Sequence, residues 1–203
     1  NLSSGQIILL ANDDIRVDTS FWDEKVDKLH SKYTDQIYLG YFNDGHKKKK
    51  LCTFPILSRN TLNLMVNPFP SNYKGALIDL DIFEIFQRLL GMGINRIQYF
   101  PEVLFEHCHM LKFPDLSDET YKDRPRFGDD QAFYQNTPYR IKKAERLHCF
   151  ILDKTYVDSK YNTTEDMTFL KFLLQTGIYS KLPILFKLKH LLKMTGRFIF
   201  SKI

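Results

Sequence analysis

The first apolar run of the chain is Ile7-Ile8-Leu9-Leu10-Ala11, and it stops at Asn12-Asp13-Asp14. A short unbroken run of this kind, bounded by Gly5 and by polar residues, predicts a buried strand over residues 6–11 of an α/β sheet. The period then changes. Residues 20–33 put Phe21, Val26 and Leu29 on one helical face, with Thr19 or Ser20 as the cap and acids in the first turn. Residues 37–42 and 51–57 read as strands, and Asn43-Asp44-Gly45 between them is a hairpin signal. A short helix is expected over 60–66, then a breaker-rich loop over 67–75. Ile82, Ile85, Phe86 and Leu89 give residues 79–90 a helical stripe that ends at Gly91 and Gly93. Residues 96–105 read as a strand interrupted at Pro101, followed by Glu106-His107-Cys108-His109. Residues 113–130 are polar and irregular. Further helices are expected over 129–136, over 163–176 and from Pro183 onward.

The chemistry clusters where these elements end. Acids at the C-terminal end of a strand stand where open α/β sheets place their ligands. Adjacent carboxylates such as Asp13 and Asp14 repel each other unless a cation compensates them. Mg²⁺ suits that place, because it binds one or two carboxylates together with phosphate oxygens. A turn held by Asn and Asp side chains is the plainer reading of the same residues. His107 and His109 alternate along a strand and so share a face; a ligand pair and a structural pair both remain open. Asp79 suits a helix cap as well as a general base, and Asp130 suits a helix start as well as ligand binding. Trp22 is expected in the core or as a cover over the site.

Composition narrows the classes. With 203 residues and ordinary apolar and charged fractions, the chain is long enough for one α/β domain with a core, or a domain with an appendage. The 17 Phe and 11 Tyr fit either ring-shaped ligands or simple compositional bias. Three widely spaced cysteines, Cys52, Cys108 and Cys149, form neither a zinc pattern nor a disulfide framework, which points to a reducing compartment. Lys47, Lys48, Lys49 and Lys50 read as a solvated edge that deters strand pairing. The net charge of +5 is uneven: Lys181, Lys187, Lys189, Lys193, Arg197 and Lys202 follow one another with no intervening acid. Between them run Leu182, Leu185, Phe186, Leu188, Leu191 and Leu192, the pattern of an interfacial helix on anionic lipid, with core docking as the alternative. No apolar run is long enough to cross a bilayer.

Taken in order, these segments resemble the second half of GT-A glycosyltransferases of the bacterial family-2 type. The matching pieces are Asn12-Asp13-Asp14 after a strand, Ile78-Asp79-Leu80-Asp81 at a helix start, the strand from Gly93-Ile94-Asn95-Arg96-Ile97-Gln98-Tyr99-Phe100-Pro101, and Glu106-His107. Thr53-Phe54-Pro55-Ile56-Leu57-Ser58-Arg59 resembles the strand before the family's acceptor-side loop. The likeness covers residues 5–135. It implies a GT-A-like, Rossmann-related α/β fold: a mixed sheet flanked by helices, with a helical C-terminal tail. The part of such a domain that holds the nucleotide base would precede Asn1, so the chain is expected to be truncated at its N-terminus.

The likeness also implies roles. Asp14 would bind Mg²⁺ or Mn²⁺, helped by His107 or else His109. Asn12 would contact the nucleotide sugar, with Asp13 beside it. Asp79 would be the catalytic base, although Ile78 stands where the family often has Glu. Asp81, Arg59 and Asp130 would face the acceptor. The expected organisation is a catalytic region over 1–150 and a basic, amphipathic helical extension over 151–203. The expected activity is inverting transfer of a sugar from a nucleotide-diphosphate donor to a hydroxyl of a surface or capsular glycan, on a glycan or lipid-linked acceptor. The expected location is cytoplasmic, peripheral at the inner face of the membrane, with residues 178–203 against anionic lipid and no nucleic-acid partner. The competing classes are a non-catalytic GT-A-derived module that binds at a membrane, and a metal-dependent phosphotransferase.

Overall fold

A computed structural model describes residues 3–108, 125, 127–158, 167–178 and 180–202 of the chain. The protein is mixed α/β. It groups into two compact units, one of Asn1–Asn63 with Ile97–Arg126, the other of Leu64–Arg96 with Phe127–Ile203.

The first unit holds the sheet. Its strands are β1 (Ile7–Leu9), β2 (Ile15–Val17), β3 (Leu39–Asn43), β4 (Ile56–Ser58) and β5 (Ile97–His107), in the order β1-β4-β3-β5-β2. β4 runs antiparallel to β1 and β3, β3 and β5 are parallel, and β2 is antiparallel to β5. β1, β3 and β5 therefore point the same way, and their C-terminal ends share one edge of the sheet. β1 is an edge strand and only half-buried, where the apolar run predicts a buried one. β5 takes up Pro101 at an irregularity: Phe42 pairs with Phe100, but the next residue, Asn43, pairs with Leu104. A proline without an N–H is tolerated there, outside the ladder.

Helix α1 (Trp22–Lys32) covers this sheet through Val26 and Leu29, which join Phe42, Phe54, Phe100 and Phe105 in the core. Trp22 packs edge-on against Phe42 and Phe105, with ring centroids 5.8 and 5.1 Å away, so it is a core residue. Phe21 precedes the helix in a left-handed conformation and is exposed. Neither Thr19 nor Ser20 caps α1; Thr19 Oγ1 instead accepts the backbone N–H of Leu104 at 2.8 Å. The connection from β3 to β4 is longer than a tight hairpin. Lys48–Lys50 forms a 3-10 turn in it, and Lys47 to Lys50 are exposed as a solvated edge.

The second unit is helical in its described residues. α2 (Arg59–Met65) leads into it, followed by α3 (Ile78–Gly91), α4 (Asp130–Gln135), α5 (Thr137–Ile151), α6 (Phe169–Gly177) and α7 (Ile184–Phe200). The apolar stripe of α3 is buried as its spacing predicts. The C-terminal helix α7 docks one face here: Met194 and His190 are buried, and Phe198 stacks on Phe169 at 4.0 Å between centroids.

The end of α3 is closely covered. A Cβ built on Gly91 would stand 1.4 Å from the backbone carbonyl oxygen of Lys181. Gly91→Ala must push the 181–182 backbone away and should lower stability by about 3 kcal/mol. For a chain of this size that is a fall of about 6–12 °C in Tm, measurable by calorimetry. An unchanged Tm would contradict the close approach.

Candidate metal and nucleotide site

Because β1 and β2 lie at opposite edges of the sheet, the chain between them must cross the sheet's end. Asn12-Asp13-Asp14 lies on that crossing, beside the C-terminal ends of β3 and β5. Leu10 N–H anchors its start on Pro55 O at 3.0 Å, and Cys108 N–H anchors its end on Asp14 O at 2.8 Å. The β2–β5 register then sets Ile15 opposite His107. The result is that Asp14 Oδ2 lies 2.9 Å from His107 Nε2, with the two side chains 13% and 12% exposed. The Phe54 ring meets the His107 ring edge-on at 5.4 Å. Asn12 and Asp13 are exposed on the same crossing.

A third acid at this end, Asp44, was not marked by any motif. It follows β3, is 1% exposed, and its backbone carbonyl accepts the N–H of His107 at 3.0 Å. Its carboxylate accepts Thr53 Oγ1–H at 2.6 Å and the N–H groups of His46 and Lys48 at 2.9 and 2.6 Å. Burial alone would raise its pKa. The hydrogen bonds from Thr53 and from the backbone of Lys48, Lys47 and His46 outweigh burial and hold it below the usual carboxylate range. Asp44 thus shapes the loop beside the site rather than offering a free ligand. The only sequence sign of it was the Asp-Gly turn.

Asp14 and His107 share a hydrogen bond here, and the same two atoms would suit a divalent ion that displaced the shared proton. Two neighbouring ligands of an octahedral ion at about 2.1 Å stand about 3 Å apart, which is the Asp14–His107 separation. Among the described residues no group of three or more His, Cys, Asp or Glu is gathered to hold a metal. A two-residue hold leaves most of the shell to phosphate oxygens and water, the usual arrangement for Mg²⁺ with a nucleotide.

Arg59 is at the opposite end of β1 from the triplet; its guanidinium donates to Gly5 O at 2.9 Å and Ser3 O at 2.7 Å. Asp79, Asp81 and Asp130 belong to the helical unit. Asp79 is half-buried in the first turn of α3, where it is not the cap; Leu77 takes that position, with φ 65° and no side-chain cap. Asp81 is 1% exposed and accepts Tyr73 O–H at 2.7 Å and Arg140 Nη1–H at 2.9 Å. Asp130 is held by Arg197, with Nε–H donating at 2.9 Å. Both are therefore engaged in structural ion pairs. His109 lies outside the described residues, as do residues 113–124 of the irregular stretch.

Sequence reasoning also missed α5 and the charged centre it completes. Glu84 is fully buried. It accepts Arg88 Nε–H at 2.9 Å, with Arg140 Nε 3.1 Å and His190 Nε2 3.2 Å from its other oxygen. Pro138 near the helix start, with Ile141, Ala144 and Leu147 after it, was the available signal. Buried Arg140 and Lys143 broke the apolar stripe and concealed it. Compared with known protein families, with curated proteins and with solved structures, the chain matches none.

Proposed function

We propose that this chain carries the metal and acceptor region of a GT-A-type glycosyltransferase, which moves a sugar from a nucleotide-diphosphate donor to a hydroxyl of a glycan or lipid-linked acceptor. The observation that carries this reading is the meeting of Asp14 and His107, 93 residues apart in sequence, at the shared C-terminal end of β1, β3 and β5. The mixed sheet with its helices is compatible with the GT-A architecture. Asp14 and His107 would hold Mg²⁺ or Mn²⁺, and that ion would neutralise the diphosphate as it leaves. Asn12 and Asp13 are exposed on the same crossing and would contact the donor. Asp79 is the proposed base, taking the proton of the acceptor hydroxyl in a single inverting displacement. The first turn of α3 holds its carboxylate among backbone N–H groups, and its Oδ1 accepts the N–H of Leu80 at 2.7 Å.

Calorimetric titration of the full-length gene product with UDP, GDP and CDP sugars, with and without Mn²⁺, tests the reading. Binding that requires Mn²⁺ and disappears in Asp14→Ala is the expected result. Absence of binding to every nucleotide sugar would remove it.

The C-terminal helix supports a membrane surface as the workplace. Beside its docked face, α7 exposes Ile184, Leu185, Leu188, Leu192 and Phe200, and α6 with the residue that caps it adds Leu170 and Ile178. Lys181, Lys189 and Lys193 are exposed in the same region, whereas Arg197 is taken by Asp130. Apolar side chains rimmed by lysines suit anionic lipid, at about 1 kcal/mol for each Lys near the surface. Among the described residues no helix is long and apolar enough to cross a membrane. The double substitution Leu188→Glu, Leu192→Glu should reduce co-sedimentation with phosphatidylserine vesicles at least about tenfold. Equal pelleting of the variant would rule out this surface.

A further inference from the structure

The helical unit contains a cavity of about 450 Å³ between α5 and the 65–72 segment. Tyr139, Lys142, Lys143 and Arg146 all line it. Their spacing of i, i+3, i+4 and i+7 puts them on one face of α5. Three cations at such spacing repel one another in a folded helix. One acid, Asp158, shares the wall; it is 66% exposed and stands 3.3 Å from Lys142 Nζ. Among the described lining residues, three cations against one acid leave a surplus of two positive charges.

Lys143 is the informative member. It is 7% exposed, and its buried ammonium nitrogen has no hydrogen-bond partner among the described residues. A buried donor left without an acceptor is costly and needs an explanation. Its pKa is drawn down by burial, then raised by Asp81 and lowered again by Arg140. An anion in the cavity would supply the missing acceptor and favour the charged amine. Arg146 lines the same cavity, and its guanidinium is steadied by the Tyr156 ring, 5.0 Å from the centroid, and by donation to Leu64 O at 3.4 Å. The cavity is larger than a bare phosphate needs and falls within the range of small-metabolite sites. Half-exposed Tyr139 offers a flat wall for a ring.

We infer that this cavity binds the phosphate ester of a sugar-sized molecule, with the phosphate against Lys143 and Arg146 and the ring beside Tyr139. This site needs no metal, so it is distinct from the Asp14–His107 pair and stands whether or not the chain transfers sugars.

The test uses the whole chain with no divalent ion present. Sodium phosphate should raise Tm relative to sodium chloride of equal ionic strength, as any ligand of the folded state does. Glucose 1-phosphate should bind more tightly than inorganic phosphate in calorimetric titration. Lys143→Met should raise the Tm of the unliganded protein, because it removes an unsatisfied buried ammonium. The same variant should weaken phosphate binding by about thirtyfold or more, and Arg146→Gln should weaken it with the fold retained. Equal Tm in phosphate and chloride would overturn the inference. So would unchanged phosphate affinity in both variants. Asp14→Ala should leave this binding untouched, which separates its failure from that of the proposed transferase.

Discussion

Glu84→Ala will lose about 3–5 kcal/mol of folding stability, the usual result of removing one partner from a buried ion pair. Against a typical total of about 5–15 kcal/mol, the variant will be marginal or unfolded at 37 °C. The reason lies in what would remain. Arg88 and Arg140 are 4% and 0% exposed, and Glu84 is the carboxylate that meets both. Asp81 still engages Arg140, at 2.9 Å, but one carboxylate cannot serve two buried guanidinium groups. Glu84→Gln keeps the shape and removes the charge, so it should fail nearly as badly. Urea unfolding monitored by circular dichroism measures the effect, and a midpoint unchanged at constant slope would show that the charge centre is dispensable.

The same residue fixes the response to acid. Burial alone would raise the Glu84 pKa, but Arg140, Arg88 and His190 outweigh it and hold the carboxyl well below the ordinary range. The folded value is thus the lower one, and the unfolded chain takes up the proton first. Its contribution is full above about pH 4.3, the unfolded carboxylate value, and is lost as pH falls through the folded value. Asp44 acts in the same direction. Stability should therefore be nearly level from neutrality to about pH 5 and then decline. In Glu84→Gln the decline should be shallower.

On the proposed transferase reading, Asp14→Ala should reduce sugar transfer by about three orders of magnitude. A metal at a leaving diphosphate supplies several kcal/mol of stabilisation, and each 1.36 kcal/mol is about tenfold in rate. His107→Ala should cost less, about ten- to a hundredfold, because Asp14 would still hold the ion. Raising Mn²⁺ to about 10 mM should recover part of the His107→Ala loss and none of the Asp14→Ala loss. Product formation from a radiolabelled nucleotide sugar gives the readout. Asp14→Ala enzyme with undiminished, Mn²⁺-dependent turnover would show that the ion is held elsewhere.

Some of this architecture was legible in the chain because it is local. The stripe Ile82, Ile85, Phe86, Leu89 made α3, and Pro183 marked the start of α7, since helical spacing and a fixed φ act over a few residues. The interruption at Pro101 was legible for the same reason. The acidic triplet and His107 stood out by type and position. Other features failed where a distant partner overrode local preference. Thr19 looked like a cap but bonds Leu104, 85 residues away. The run from Ile7 looked like a buried strand, yet burial depends on having a neighbour on each side, and β1 has one. Helix α5 was hidden because its buried face carries Arg140 and Lys143, which read as solvent-facing until Asp81 and Glu84 are brought to the arginine.

By itself, then, the sequence determined the alternation of helix and strand, the punctuation by Gly and Pro, the basic apolar tail, and which side chains had chemistry to offer. Only the tertiary structure decided that Asp14 meets His107, that Asp81 and Asp130 are tied into ion pairs, and that Lys143 lines a cavity while its ammonium lacks an acceptor among the described residues. The physical reason is range: backbone propensity acts across a turn or two, whereas a charge takes its meaning from whatever the fold sets within a few ångströms of it.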